Sequence, residues 1–561
     1  MRQIVLITGR ICTGKSGLAR RLRNEFGYEL LQTSEILRTQ ATERRLESDR
    51  LSLQTLGDTL DRETGSKWLL SAVEELATAL PNQTPIVVDN VRTREQLEHF
   101  RNNLGWVVVH AHLYGPDAEL QQRFEKKRAK RPQESASNYS EADLLKDAGD
   151  IEYFKKDADV RIYTARTDGE DTLVRVAARL GLYSPPDIQC VDVLVGGQYG
   201  SEGKGHIAAY LAKDYDVLVR VGGPNAGHTV SGPSGVYTYH QLPSGARDTS
   251  AKLLLGPGMT IKVERLLEEI SECSVTPERL FIDPQAMIIE PEDIEAEKEL
   301  VSQIASTGRG GGAAAARRIL RRKVGAVRLA RDIPELTPYV GAKAPYRGST
   351  LARLEIAYRN GSAILLEGTQ GSGLSIYHGQ YPFVTSRDTN VAGCLAEAGI
   401  SPNRVRRILM VVRPTPIRVG NPEGNMGYSS GGLKHEVDFE TVATEAGLDP
   451  SEVKANEKTS TTRRNRRVGW FEWEQFRRAC ALNAPTDIVL TFADYIDAKN
   501  QHARRFELLT EDTIKFIEEL ERVAQAPVSL INTRFPRESE KRIDLRTVID
   551  RRNWSTQKKS G

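Results

Sequence analysis

Cysteine is scarce: five residues in 561 (Cys12, Cys190, Cys273, Cys394 and Cys480), odd in number, scattered, and with no pair at metal-ligand spacing. A disulfide framework and a cysteine-based metal site are therefore not expected, and the thiols read as reduced, in a cytoplasm-like compartment. Net charge is equally scarce at +3, from 78 Lys and Arg against 75 Asp and Glu. No global field draws nucleic acid or a membrane surface, so any anion site must be local. No apolar run approaches the roughly 18 residues of a membrane span. No signal peptide precedes the first strand, and no internal repeat is evident. The chain is expected to be cytoplasmic, with neither nucleic acid nor membrane as partner. What it does have is an ordinary soluble balance, 39% hydrophobic and 27% charged, with length enough for about three to four domains of about 150 residues.

The first apolar run, Gln3–Thr8, leads directly into Gly9-Arg-Ile-Cys-Thr-Gly14-Lys15-Ser16. This matches the P-loop pattern G-x-x-x-x-G-K-[ST], with a strand before it and an amphipathic helix after it (Leu18, Leu22, Phe26). Backbone amides would cradle phosphates, Lys15 would reach the outer ones, and Ser16 would hold Mg²⁺. Ile86-Val87-Val88 ends in Asp89, which reads either as a carboxylate for the magnesium shell or as a strand-end cap. Val107–His112 reads as another strand. The basic run Arg123, Lys126, Lys127, Arg128, Lys130 and Arg131 is either a solvated helix face or a segment that closes over transferring phosphates. With Ser34–Arg38, Val87–Arg92 and RFEKKRAKR, this region resembles the nucleoside monophosphate kinase group, which implies a phosphotransferase whose acceptor is unreadable.

A helical pattern (Leu173, Val176, Ala177, Leu180) stops at Tyr183-Ser184-Pro185-Pro186-Asp187, and a new strand follows. The domains are accordingly expected at 1–183 and 188–556. Beyond the linker the order is strand, glycine loop, helix, strand, glycine loop. The first loop is Gly200-Ser201-Glu202-Gly203-Lys204-Gly205, and the second is Gly222-Gly223-Pro224-Asn225-Ala226-Gly227-His228-Thr229. Glycines let backbone approach an anion, and amides at a helix start point toward it. Lys204 adds a point charge, and His228 can exchange protons or stabilise an oxyanion.

Further motifs follow. A glycine loop, Ser306–Gly312, precedes Arg317, Arg318, Arg321 and Arg322, which read as lying on one helix. A strand ends in Glu367-Gly368-Thr369-Gln370-Gly371, and Tyr381–Arg387 and Pro416–Gly420 come next. Thr459–Arg467 concentrates four hydroxyls and four arginines, a composition suited to carboxylate or phosphate. No aromatics interleave that basic run, which argues against single-stranded nucleic acid. A last strand, Ile488–Phe492, leads to Asp494.

GGQYGSEGKG followed by GGPNAGHT resembles adenylosuccinate synthetase, and the later motifs extend the resemblance over about two-thirds of the chain. It implies a large α/β domain with a mostly parallel central sheet, after an α/β P-loop domain. It implies L-aspartate joined to C6 of a 6-oxopurine nucleotide, driven by GTP or ATP with Mg²⁺. Residue by residue, Ser201, Lys204 and His228 fall at the catalytic positions. Gly200, Glu202, Gly203, Gly205, Thr229, Arg466 and Asp494 carry over to the triphosphate, with Asp494 on the guanine edge. Asn225, Ala226, Thr307, Arg322, Gln370, Thr385 and Arg464 carry over to the purine monophosphate. Ser460, Thr461, Thr462, Arg464 and Arg466 carry over to aspartate, and Ser201 with Gly227 to the metal. The arginine matched by Arg322 reaches across from a neighbouring subunit, which implies a homodimer.

Five positions depart from the pattern. Arg463 stands for a usual Gly, Phe492 for a usual Lys, and Thr533-Arg534-Phe535 for a Thr-Gly-Pro signature. Ser201 stands where the family has the Asp that removes the purine N1 proton. In the family the C6 oxygen is phosphorylated, the aspartate amine then displaces phosphate, and His stabilises charge on the oxygen. A hydroxyl is a poor base, and losing a general base costs about 10²–10⁴-fold. The chain is thus a sluggish or nucleotide-sensing relative, or Glu202 or water takes the proton, or the substrate differs. STGRGGGAAAARR, EGTQGSGLS, TSRD and PIRVG are similar to a phage branch, 2-aminoadenylosuccinate synthetase, which has Ser in this loop and accepts dGMP. Glu202 and Gly469-Trp470 are similar to the ordinary enzyme. Ser leaves room beside the purine for a 2-amino group, so dGMP or GMP is expected to serve at least as well as IMP.

Overall fold

The structure is a computed structural model that describes residues 1–103, 105–130, 139, 148–341, 348–420, 430–458, 464–535 and 546–555. The chain divides into two compact units, Met1–Tyr183 and Ser184–Gly561.

The first unit is built on five parallel strands in the order Glu29–Leu31, Ile86–Val88, Arg2–Gly9, Trp106–Tyr114, Val160–Tyr163. Its central strand runs Ile4-Val5-Leu6-Ile7 with no residue exposed, because successive side chains feed two separate cores. Ile4 and Leu6 pack with Ile86, Val88, Leu97 and Phe100. Val5 and Ile7 pack with Leu18, Leu22, Val87 and Ala111. A sheet covered on both faces reads as a continuous apolar run rather than an alternating one. Strand Trp106–Tyr114 extends past the Val107–His112 run on both sides. At the strand end Gly9 is obligatory: its φ is 141°, and a Cβ there would lie 2.2 Å from the Leu113 carbonyl oxygen. Helix Lys15–Phe26 starts immediately after the loop and buries Leu18, Ala19 and Leu22.

The second unit carries a nine-stranded sheet. Its order is Leu280–Ile282, Lys252–Leu255, Val217–Arg220, Ile364–Glu367, Val191–Gly196, Val405–Val412, Asp487–Leu490, Val528–Asn532 and Val548–Asp550. All neighbours are parallel except the last pair. Val191, Val193 and Val195 face one core and Leu194 the other. The mostly parallel α/β architecture expected of both units is therefore present. In such sheets ligands gather beyond the carboxyl ends of the strands. A hairpin, His228–Gly232 with Gly235–Tyr239, stands off the main sheet.

Two boundaries differ from expectation. The arginine helix is Gly311–Leu320, so Arg321 and Arg322 lie past its end, and Arg317 is buried with two bonds to the Asp293 carboxylate. Strand Asp487–Leu490 stops before Phe492, whose left-handed φ of 55° breaks the extended backbone. Among the described residues no helix is long and apolar enough to cross a membrane.

Candidate functional site

Strand ends of the second unit open on one cleft of about 570 Å³. The loop after Val191–Gly196 brings Gly200, Ser201, Gly203, Lys204 and Gly205 to it. Helix Lys204–Ala212 begins at Gly203, whose φ is 80°, so the first helical amides point back into the loop. Glu202 does not line the cleft. It is 1% exposed, and its carboxylate accepts from the Gln198 and Gly200 amides at 3.0 and 2.8 Å and from Lys204 Nζ at 2.6 Å. Placing Glu202 on the triphosphate, or giving it the N1 proton, is corrected accordingly: both oxygens are spent on holding the loop and its lysine. Ser201 lines the cleft from the same loop.

The next strand end, Val217–Arg220, supplies Arg220 and the loop carrying Asn225, Ala226, Gly227, His228 and Thr229, all five on the cleft wall. His228 is buried, and its Nδ1 meets the Glu367 carboxylate and lies 3.3 Å from Ser244 Oγ. Arg220 Nη1 lies 3.2 Å from the same Glu367 oxygen. Burial alone would raise the Glu367 pKa, but Arg220 and His228 outweigh it and hold the carboxyl at about 2. Burial and then Arg220 push His228 down to about 4, against the pull of Glu367. At neutral pH an ionised Glu367 thus faces a neutral imidazole with its proton on Nδ1. The other nitrogen, Nε2, is buried without a hydrogen-bond partner. Arg220, Ser244 and this role of Glu367 were not foreseen. The available signal was a carboxylate at the end of a buried strand, the same signal that singled out Asp89.

Other predicted residues gather along the same cleft. Gln370 Nε2 donates to Thr385 Oγ1 at 2.7 Å, and Thr307 stands on the wall nearby in the cavity lining. Arg464 and Arg466 line the cleft, and Arg466 donates to the buried Glu457 carboxylate at 2.7 Å. Glu457 also takes Arg413 Nη2 at 2.6 Å. Burial would raise Glu457, yet Arg413 and Arg466 hold it at about 2. Asp494 is buried on the cleft wall, and burial lifts its carboxyl to about 7 against Gln501, Arg413 and Arg534. Arg322 is exposed and does not line the cleft of its own chain. Ser460, Thr461 and Thr462 lie outside the described residues.

The P-loop of the first unit keeps its own geometry. Lys15 Nζ donates to the Gly9 and Arg10 carbonyls at 2.7 and 3.0 Å. Gly14 has a φ of 97°, and Ser16 Oγ is 3.4 Å from Asp89 Oδ2. Asp89 also accepts the Thr33 amide at 3.1 Å, so it caps a helix start and faces the loop serine at once. In the basic run, Arg123 bonds Glu119 and Thr164, while Arg131 lies outside the described residues.

A parallel sheet whose strand ends converge on a phosphate-type loop defines a nucleotide-using α/β enzyme. The adenylosuccinate synthetase family pattern matches residues 193–337 and 326–502, and the chain belongs to that family of ligases. It is 36% identical over 370 residues to adenylosuccinate synthetase from Pyrococcus sp. (strain ST700), covering 64% of this chain and 98% of that one. It is 34% identical over 373 residues to the enzyme from Methanocaldococcus jannaschii, covering 64% and 97%. Among solved structures it is similar to succinoaminodeoxyadenylate synthetase of cyanophage S-2L bound to dGMP and dATP as an energy donor. That match has TM-score 0.51 and 28% identity, over 65% of this chain and 95% of that one. Adenylosuccinate synthetase from Plasmodium falciparum shares the fold at TM-score 0.52 and 22% identity, over 65% and 100%. Residues 5–146 match the pattern of an AAA domain.

Proposed function

We propose that the Ser184–Gly561 unit joins L-aspartate to C6 of a 6-oxopurine monophosphate, and that dGMP or GMP serves at least as well as IMP. The observation that carries this is Ser201, which lines the same cleft as His228 of an intact His228–Glu367–Arg220 network. The ligated state of the cyanophage S-2L relative, with dGMP and dATP, supports it. Gly200, Gly203, Gly205 and Lys204 take the triphosphate, with Thr229, Arg466 and Asp494 beyond them. Asn225, Ala226, Thr307, Gln370, Thr385 and Arg464 take the monophosphate. Arg464, Arg466 and the Ser460–Thr462 segment take aspartate.

In the first step the C6 oxygen attacks the γ-phosphorus, the bond to the β-phosphate breaks, and the nucleoside diphosphate leaves. The N1 proton passes to water admitted beside the short Ser201 side chain, whose oxygen accepts from the 2-amino group. A polyanion beside Nε2 raises the His228 pKa, so the imidazolium forms where charge collects on the oxygen. In the second step the neutral aspartate amine attacks C6, the bond from C6 to the phosphorylated oxygen breaks, and the departing inorganic phosphate takes the proton that the amine gives up.

Mg²⁺ fits both units as a hard cation with oxygen donors. Among the described residues no cluster of three or more His, Cys, Asp or Glu side chains could hold a metal alone. In the ligase unit the Ser201 hydroxyl and Gly227 would therefore complement a cation carried in on phosphate. In the P-loop unit Ser16 and Asp89 would. Bound there, the ion neutralises phosphate charge.

The test is product mass spectrometry with aspartate, triphosphate and IMP, GMP or dGMP side by side. Turnover of dGMP or GMP is expected, and turnover of IMP alone removes the reading. The Lys15, Ser16 and Asp89 geometry favours a second activity, phosphorylation of a purine monophosphate by the first unit. Lys15→Ala is expected to abolish it, and unchanged phosphorylation would refute it.

A further inference from the structure

Gln370 lines the cleft in an unusual backbone state: its φ is 64°, in the left-handed region that a residue with a Cβ rarely adopts. Strain of this kind persists only where the surroundings over-determine it. Here they are close on both sides. A Cβ on Gly200, in the first glycine loop, would lie 3.0 Å from Gln370 Cα. A Cβ on Gly222, in the second, would lie 2.3 Å from Thr369 Oγ1. The turn Thr369-Gln370-Gly371 is thus wedged between the two loops.

Alternate residues of the stretch Thr385–Thr389 grip this turn. Thr385 Oγ1 accepts from the Gln370 side chain. Arg387 Nη1 donates to the Thr369 carbonyl and hydroxyl at 3.2 and 3.1 Å. Thr389 Oγ1 donates to the Gly371 carbonyl at 2.8 Å. Gln370 and the residue on each side of it therefore have one partner apiece. Arg387 also reaches the second loop. Its Nε donates to Glu397 Oε1 at 2.6 Å, and Glu397 Oε2 accepts the Gly222 amide at 3.0 Å. Glu397 stands on helix Val391–Ala398, and the two side chains are 12% and 18% exposed, so little water competes for these bonds. Only a forked guanidinium can hold the carboxylate and the turn at once; an ammonium is a single point of charge.

We propose that Arg387 and Glu397 are positioning residues: they clamp the left-handed Gln370 turn at a fixed spacing from the second glycine loop, and so set the affinity for the purine monophosphate held by Asn225, Gln370 and Thr385. This rests on the ligase reading of the cleft. An ion pair that served stability alone would lower the melting temperature when altered and leave the balance between substrates as it was. A clamp acts on one substrate and on the mobility of one turn.

Arg387→Lys in the full-length protein is the test, because it keeps a charge beside Glu397 and gives up Thr369. Hydrogen exchange followed by mass spectrometry, without ligands, is expected to show amides of the Thr369–Gly371 turn exchanging about tenfold faster, with the melting temperature nearly unchanged. Steady-state assays are expected to show KM for the monophosphate raised by about tenfold, with kcat and KM for aspartate within about threefold of the parent. Should the lysine variant melt early, Arg387→Met combined with Glu397→Leu supplies an apolar pair that preserves packing, and the same two shifts are expected. Unchanged exchange, an unchanged monophosphate KM, or an equal rise in both KM values overturns the proposal. Faster exchange in a protein whose parent converts none of IMP, GMP and dGMP refutes the ligase reading and leaves the clamp standing.

Discussion

Ser201 can be exchanged for the carboxylate it replaces with little change elsewhere, since it lines the cleft and the contact it makes, with Arg413 Nη1 at 3.4 Å, is through its carbonyl. Ser201→Asp places a base beside purine N1 and an anion beside any 2-amino group. It is expected to raise kcat/KM for IMP by about 10²–10⁴-fold and to lower the dGMP-to-IMP ratio, as read by parallel steady-state assays. The residue scale is also where sequence reading ran out. His228 stood out because a glycine loop framed it. Its partner Glu367 is 139 positions away in the chain, and only the parallel pairing of Ile364–Glu367 with Val217–Arg220 brings the two together. Glu202 sits away from the cleft, and a loop sequence does not reveal which way a side chain turns. Its two amide bonds and its lysine turn it inward.

At the scale of elements, the strand ends divide the labour. Val191–Gly196 and Val217–Arg220 deliver the two glycine loops, Ile364–Glu367 the histidine's partner, and Val405–Val412 the arginine that meets both Glu457 and Phe492. Apolar runs bounded by glycine made these strands legible, since strands buried on both faces carry no alternation to confuse with a helix. The arginine helix was over-extended because Arg321 and Arg322 continue its composition, though the backbone leaves the helix at Arg321, with ψ of 71°. Glu457→Gln follows from the same layout. It strips the carboxylate from Arg413 and Arg466, both held in a buried network, and is expected to cost about 3–5 kcal/mol in denaturant unfolding. If Arg466 binds aspartate, KM for aspartate rises in the same variant.

At the scale of the whole molecule, acid is the expected weak point. His206 and His228 are buried and held near 4 by burial, with Arg220 adding to it for His228. Unfolded, each takes a proton near about 6.5. Between those values the unfolded chain binds more protons, so stability falls as pH drops from 6.5 to 4, by roughly 3 kcal/mol per histidine. Glu367 and Glu457, both held at about 2, add a second loss below about pH 4.3. Thermal melts from pH 7 to 3.5 check the two phases. A homodimer is the other prediction at this scale. Exposed Ile319, Leu320 and Val324 flank Arg322, at 64%, 81% and 101%, and support an interface there. Mixing inactive Arg322→Leu and His228→Ala chains is expected to restore part of the activity, because one site in a mixed pair then has both groups. No recovery after subunit exchange counts against it.

The ion pair inside the first glycine loop has a kinetic corollary. With Lys204 and Glu202 each 1% exposed and bonded to one another, the pair adds no net charge to the loop. The loop's own pull on an approaching polyanion comes from backbone amides, which act only at close range. Any ionic-strength dependence of donor capture should therefore trace to the arginines on the cleft wall, Arg464, Arg466 and Arg534, and not to this loop.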